Sequence, residues 1–332
     1  MQRILHTPDG VRDIYGNECR EKYTLMNHFN KVFDDYHYVP IQTPTFEFID
    51  VFGSEMGSAP ENELFRFFDR DGNTLALRPD FTPSIARTVS MYFEEEERPL
   101  RLCYQGSTFV NNSELQGRLK ESTQMGVEMI GEQSAEADAE IIALTIECLK
   151  RAGLTEFQVS IGEVNFFKSL VDDGSLSDEQ IESVRHLISI KNFYAVEDLL
   201  EGTGMSAQRQ KALVRLPQLF GGTEVLSEAR NLAVNNACQK AIDRLEAIYK
   251  ILEEKDMARY VSFDFGALSK YSYYTGIIFS AFTYGSGEAV AKGGRYDALL
   301  GHYGKDEPAV GVGFAVDQLM NCINYMKRRE KA

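Results

Sequence analysis

The pattern of apolar residues predicts an α+β chain, and three observations carry that reading. Helical periodicity is strong over residues 18–36 and 134–152. Period-two alternation marks FQVSIG (Phe157–Gly162) and YVSFDFG (Tyr260–Gly266) as strands. A helix-rich stretch punctuated by glycine separates those two strands. At 332 residues the chain can bury a large core and form more than one lobe.

In chain order, residues 18–36 place Leu25, Met26, Phe29, Val32 and Phe33 at helical spacing. A β-rich run, YVPIQTPTFEF, follows and meets Pro44. Phe65–Pro79 reads as a hairpin, because Asp71-Gly72 favours a tight turn between two apolar runs. RPDFTPSIARTV then passes from a strand into a helix. Helix 134–152 is capped by Ser134, carries acidic residues in its first turn and stops before Gly153. From about Asn165 to Lys255 the sequence predicts a helical insertion. Ser177-Asp178-Glu179-Gln180 is a capping-box pattern. Ile242, Leu245, Ile248 and Leu252 form a buried stripe, with Glu246 and Lys250 placed to pair on another face. Gly202, Gly204, Pro217 and Gly221-Gly222 separate the short helices. Tyr271–Tyr284 is β-rich, Gly293–Asp297 reads as a turn into a helix, and Ala309–Met320 as a glycine-rich strand entering the last helix. The expected units are 1–164 and 256–332, forming one α+β core, and the helical segment 165–255.

Composition narrows the function. Hydrophobic residues at 43% and charged residues at 26% are those of a soluble globular protein. No apolar run approaches the ~20 residues that span a bilayer. The N-terminal MQRILHTPDGVRD has no signal core, so a cytoplasmic location is expected. A net charge of −15, with Lys327–Lys331 as the first basic cluster, argues against an extended nucleic-acid surface. Five dispersed cysteines and five dispersed histidines suggest neither a disulfide framework nor a metal site, and no cofactor is expected.

Five segments then stand in a telling order: PDGVRD, RPDFTP, Tyr104–Glu128 (YQGSTFVNNSELQGRLKESTQMGVE), SYYTGIIF and GGRYD…PAVGVGFAVDQL. Together they span nearly the whole chain and resemble the histidyl-tRNA synthetase family of class II aminoacyl-tRNA synthetases. The resemblance implies the class II catalytic-core fold, a mainly antiparallel sheet flanked by helices. It also implies that the first helix, strand and proline form a homodimer interface.

By the same resemblance, Asp80, Thr82 and Gln124 match the ligands of an amino acid's α-ammonium, with Asp80 one methylene shorter than the family's glutamate. Glu128 matches the carboxylate that recognises the histidine imidazole, and Tyr274 and Tyr296 match tyrosines lining that pocket. A free amino acid brings an ammonium, and its site needs fixed anionic or acceptor groups to receive it.

The nucleotide side departs from the family. Adenylation builds negative charge on a phosphate, and the family stabilises it with three arginines. Their positions here are Val110, Ser269 and Gln318, so no catalytic residue is assigned. Arg118, in the loop after the second signature, is either an anion partner or a solvated side chain. The family's anticodon-binding domain is expected to be absent, with Ala332 following soon after the third signature. Pocket kept and phosphate cations lost is the pattern of a synthetase-like subfamily, the regulatory subunits of ATP phosphoribosyltransferase. That likeness implies a non-catalytic homodimer inside a hetero-oligomer with a short-form catalytic subunit, at the first step of histidine biosynthesis. It also implies L-histidine as effector, and neither tRNA nor membrane as partner. Two alternatives stay open, an amino-acid adenylating paralogue with a non-tRNA acceptor and an assembly scaffold that senses nothing.

Overall fold

The first helix shows why the chain folds as it does. In the computed structural model, which describes residues 6–53, 60–112, 118–268 and 273–329, α1 runs Gly16–Asp35 and buries Leu25, Phe29, Val32 and Phe33 along one stripe. The strands are β1 (Val39–Pro40), β2 (Phe46–Phe48), β3 (Arg66–Phe68), β4 (Thr74–Leu77), β5 (Leu100–Phe109), β6 (Glu121–Ile130), β7 (Phe157–Glu163), β8 (Phe220–Gly221), β9 (Val261–Asp264), β10 (Ile277–Thr283), β11 (Ala291–Arg295) and β12 (Ala309–Ala315). The further helices are α2 (Thr82–Tyr92), α3 (Ala135–Arg151), α4 (Val164–Val171), α5 (Asp178–Ser189), α6 (Phe193–Leu200), α7 (Ala207–Arg215), α8 (Glu224–Leu232), α9 (Asn236–Glu254) and α10 (Val316–Arg329).

Nine strands form one sheet in the order β1-β5-β6-β12-β11-β10-β7-β9-β8. Its neighbours are antiparallel except β1–β5 and β7–β9, so the expected α+β, mainly antiparallel class is what folds. Pleating gives the central strands two faces. On one, Cys103, Met125, Val127, Met129, Val312 and Phe314 join the main core with α1 and α3, where Phe29 meets Phe314 edge-on at 4.8 Å. The other face carries Tyr104, Gly126 and Glu128 and is covered in part by Phe81, Ile85 and Val89 of the α2 segment. β2, β3 and β4 form a separate three-stranded sheet.

Several local expectations change in detail. The hairpin between β3 and β4 closes through a three-residue loop. Asp69 pairs with Asn73 through backbone and side chain, and Gly72 takes φ 86°. Glu246 pairs with Arg230 of the preceding helix rather than with Lys250. The β-rich run resolves into β10 at Ile277–Thr283. Gly293-Gly294-Arg295 is not a turn into a helix. It lies within β11, where a Cβ on Gly293 would sit 2.4 Å from the Gly311 carbonyl, and one on Gly294 2.7 Å from the Tyr274 ring. Close approach, not turn geometry, demands glycine there.

Asp138 ties the helices to the sheet. Its fully buried carboxylate accepts from Arg295 Nε and Nη2 of β11, at 3.0 and 2.6 Å, and from Arg244 Nε of α9 at 2.7 Å. The capping box of Ser177 and Gln180 starts α5, and the stripe Ile242, Leu245, Ile248 and Leu252 seats α9 in the main core. Removing one partner from a buried ion cluster strands the others. Asp138→Asn is expected to lower unfolding free energy by about 3–5 kcal/mol in urea titrations. A loss under about 1 kcal/mol would show that Asp138 does not hold the cluster.

Candidate functional site

The second face of the sheet brings most of the expected residues together. Glu128 stands on β6 opposite Leu102 of β5 and Gly311 of β12, and is only 1% exposed. Its Oε1 accepts from the Thr82 hydroxyl at 2.8 Å and its Oε2 from the Tyr296 hydroxyl at 2.6 Å. The local sequence explains each placement. Thr82 begins α2 beside Pro83, a residue suited to a helix start. Tyr296 follows directly after Arg295, which Asp138 anchors.

Four residues along β6, on the same face, Gln124 donates Nε2 to Asp80 Oδ1 at 3.3 Å. That oxygen also accepts from the Phe81 amide at 2.7 Å. Tyr274 lies against Gly294, with its ring 4.7 Å from that of Tyr273, and Tyr273 meets Tyr296 edge-on at 6.2 Å. Asp80, Thr82, Gln124, Glu128, Tyr274 and Tyr296 thus share one face of the sheet.

Two further features were not singled out from the sequence. Tyr104 stacks on Phe81 at 4.5 Å and lays its hydroxyl over Gly126. Glycines form the floor. A Cβ at Gly311 would fall 1.7 Å from Glu128 Oε2, one at Gly126 2.3 Å from the Tyr104 hydroxyl, and one at Gly313 2.3 Å from Gln124 Nε2. The spacing of Gly311 and Gly313 on a strand was the available signal, since alternate residues face one side.

Burial pushes the Glu128 carboxyl up to about 8, against the two hydroxyl hydrogen bonds that favour its charged form. An uncompensated carboxyl in such a place favours a ligand that brings an N–H donor or a cation.

The positions expected to face a nucleotide are different. Val110 only continues the β5–β6 ladder, its amide donating to the Lys120 carbonyl at 2.9 Å. Gln318 donates Nε2 to Glu288 Oε2 at 3.1 Å, and its own Oε1 is buried without a partner. Arg118 pairs with the same Glu288. Its guanidinium is therefore matched by an internal carboxylate, a residue no sequence pattern pointed to. Ser269 lies outside the described residues. A cavity of about 630 Å³ lies apart from these groups, between α6, α7 and α8, where Arg215 pairs with Glu228. Among the described residues no cluster of histidine, cysteine or carboxylate side chains could hold a metal, and no helix is long and apolar enough to cross a membrane.

The sequence profile of the histidyl-tRNA synthetase family matches residues 10–319. The chain is 40% identical to an ATP phosphoribosyltransferase regulatory subunit of Acetivibrio thermocellus, over 97% of this chain and 77% of that one. It is 41% identical to the protein of the same name from Thermoanaerobacter pseudethanolicus, over 98% and 84%. A solved structure described as an ATP phosphoribosyltransferase regulatory subunit/histidyl-tRNA synthetase from Bacillus halodurans superposes with a TM-score of 0.90 at 33% identity, covering 98% of this chain and 84% of that one. A histidine–tRNA ligase subunit from Alicyclobacillus acidocaldarius gives 0.83 at 25% identity, covering 98% and 99%.

The Glu128 environment sets a pH dependence. The folded state holds the proton of Glu128 more tightly than an unfolded chain, where a glutamate titrates near its ordinary 4.5. Its contribution to stability is therefore full below about 4.5 and is lost as pH rises through about 8. Urea titrations between these limits should show a fall in stability of up to about 1.4 kcal/mol per pH unit from this group. Glu128→Gln should remove that component, and an unchanged slope would assign it elsewhere.

Proposed function

We infer that this chain, which belongs to the histidyl-tRNA synthetase family and to its branch of ATP phosphoribosyltransferase regulatory subunits, is itself a non-catalytic regulatory subunit of that enzyme. It serves the first step of histidine biosynthesis, in the cytoplasm, as a homodimer assembled with a short-form catalytic subunit. L-Histidine binds on the second face of its sheet and acts as the feedback effector.

What carries the reading is one contrast along β6 and its neighbours. Glu128, Thr82 and Tyr296 form a buried polar cluster. The positions that would face phosphates hold Val110 and Gln318, and the nearby Arg118 is neutralised by Glu288. In the proposed complex the imidazole of histidine donates to Glu128, while Tyr274 and Tyr296 border the ring. The ammonium meets Asp80, Thr82 and Gln124. Transition-state charge on an α-phosphate would meet no uncompensated cation among these groups, and a group of that kind is worth about 3 kcal/mol or more.

Regulation requires L-histidine to favour one arrangement of the dimer over another, and the coupling to the catalytic subunit is reciprocal. Activity should rise when this chain is mixed with a short-form catalytic subunit and fall when L-histidine is added. Calorimetry should show L-histidine binding to the wild type and at least about tenfold weaker binding to Glu128→Ala, the loss of one charged hydrogen bond. Equal binding would remove Glu128 from the site. Histidine-dependent ATP–pyrophosphate exchange should be at background. A robust signal would make the chain an adenylating paralogue instead. Activation without any histidine response would make it a scaffold.

A further inference from the structure

Arg78 is a buried cation without an anion. It is 6% exposed, and its pKa is lowered by loss of hydration. Its Nε donates to the Ser107 carbonyl at 2.8 Å, and Nη1 to the carbonyls of Thr43 and Pro44 at 3.1 and 3.2 Å. The guanidinium lies 4.0 Å above the Phe81 ring, which in turn stacks on Tyr104. Among the described residues no carboxylate lies within ion-pair distance of it. Three neutral carbonyls and one ring leave a desolvated positive charge uncompensated.

The remaining nitrogen, Nη2, has a defined place. A Cβ built on Gly106 would sit 2.6 Å from it. Gly106 is the register partner of Gln124, so its Cβ direction is that of the Gln124 side chain, toward the Glu128 face. Nη2 therefore stands on the site's own face, level with Gln124 and four residues along the strand from Glu128. Only glycine at position 106 leaves room for it.

We propose that Arg78 Nη2 receives the α-carboxylate of the amino acid bound between Glu128 and Gln124. The assignment rests on the amino-acid site proposed above and names the partner of the ligand group left unassigned there. With the ring of the ligand at Glu128 and its ammonium at Asp80 and Gln124, the carboxylate is carried to the level of Gly106. A charge-assisted, two-pronged contact with guanidinium is the geometry arginine is suited to.

Calorimetry with L-histidine and with L-histidinol, in which a hydroxymethyl group replaces the carboxylate, tests this. The wild type should prefer L-histidine by roughly 10- to 100-fold. Arg78→Gln should bring the two affinities within a few fold while leaving that for L-histidinol in place. Arg78→Lys keeps a buried cation but loses the two-pronged head, so it should weaken L-histidine selectively even where Arg78→Gln fails to fold. If the variants lose both ligands in parallel and keep the preference, Arg78 only holds the backbone and the proposal is wrong. A wild type that binds both ligands equally overturns it as well. A wild type that binds neither overturns the amino-acid site itself, and this assignment with it.

Discussion

The approach of side chains to the backbone between β5 and β11 controls everything built on that face of the sheet. Gly126, Gly294, Gly311 and Gly313 leave a floor without Cβ atoms, and Tyr104, Tyr274, Glu128 and Gln124 lie down in the space. A methyl group at Gly311 would occupy the position of Glu128 Oε2. The carboxyl would then have to rise from the sheet and lose both Thr82 and Tyr296. Glycine weakens a strand, by lost packing and by entropy, so four of them on adjacent strands are an expense that a merely structural sheet would avoid. The buried polar cluster is what they make possible.

That floor is shared by two chemically opposite ends. At the Glu128 end the protein concentrates acceptors around Asp80, Gln124 and Glu128, with the Arg78 guanidinium at their edge. At the Gln318 end it supplies a guanidinium and a carboxylate that cancel, Arg118 against Glu288, with the Gln318 amide on the same carboxylate. An amino acid, short and zwitterionic, suits the first end. A triphosphate needs excess positive charge, and the second end has none to offer among the described residues. The expected arginine positions account for only part of this, because Glu288 also brings a negative charge beside Gln318 and Arg118.

Much of the site was legible in the sequence because its residues come from short, ordered motifs. Asp80 and Thr82 lie in one hexapeptide, and Gln124 and Glu128 are i and i+4 on a strand, so they share a face by geometry alone. The long helices and the alternating strands could be read for the same reason. What escaped notice depends on distant chain segments. Glu288 meets Arg118 across residues far apart in sequence, Asp138 joins helices to a strand, and Arg78 counts only once the Phe81 ring and Gly106 are placed around it. The GGRYD motif suggests a turn because glycine pairs usually punctuate chains. Here they answer to the neighbouring strand and ring.

The anchoring of β11 bears on how a ligand could be sensed. Tyr296 reports on Glu128, but the residue before it, Arg295, is fixed by Asp138, by the Glu132 carbonyl at 3.0 Å and by Asp297 at 3.1 Å. Moving that strand would break a buried ion cluster, a cost of several kcal/mol. Breaking the Tyr296–Glu128 hydrogen bond costs far less, because rotating the side chain lets a ligand donor replace the hydroxyl. Thr82 is held differently. Beyond the Arg78 anchor on the Ser107 carbonyl it opens α2 with Phe81 and Asp80, which the Phe81–Tyr104 stack and the Asp80–Gln124 bond tie to the sheet. Both contacts border the position proposed for the ligand. A conformational response to occupancy therefore meets less resistance through residues 80–82 and α2, while Arg78, β11 and the helices bound to Asp138 stay in place as the reference frame.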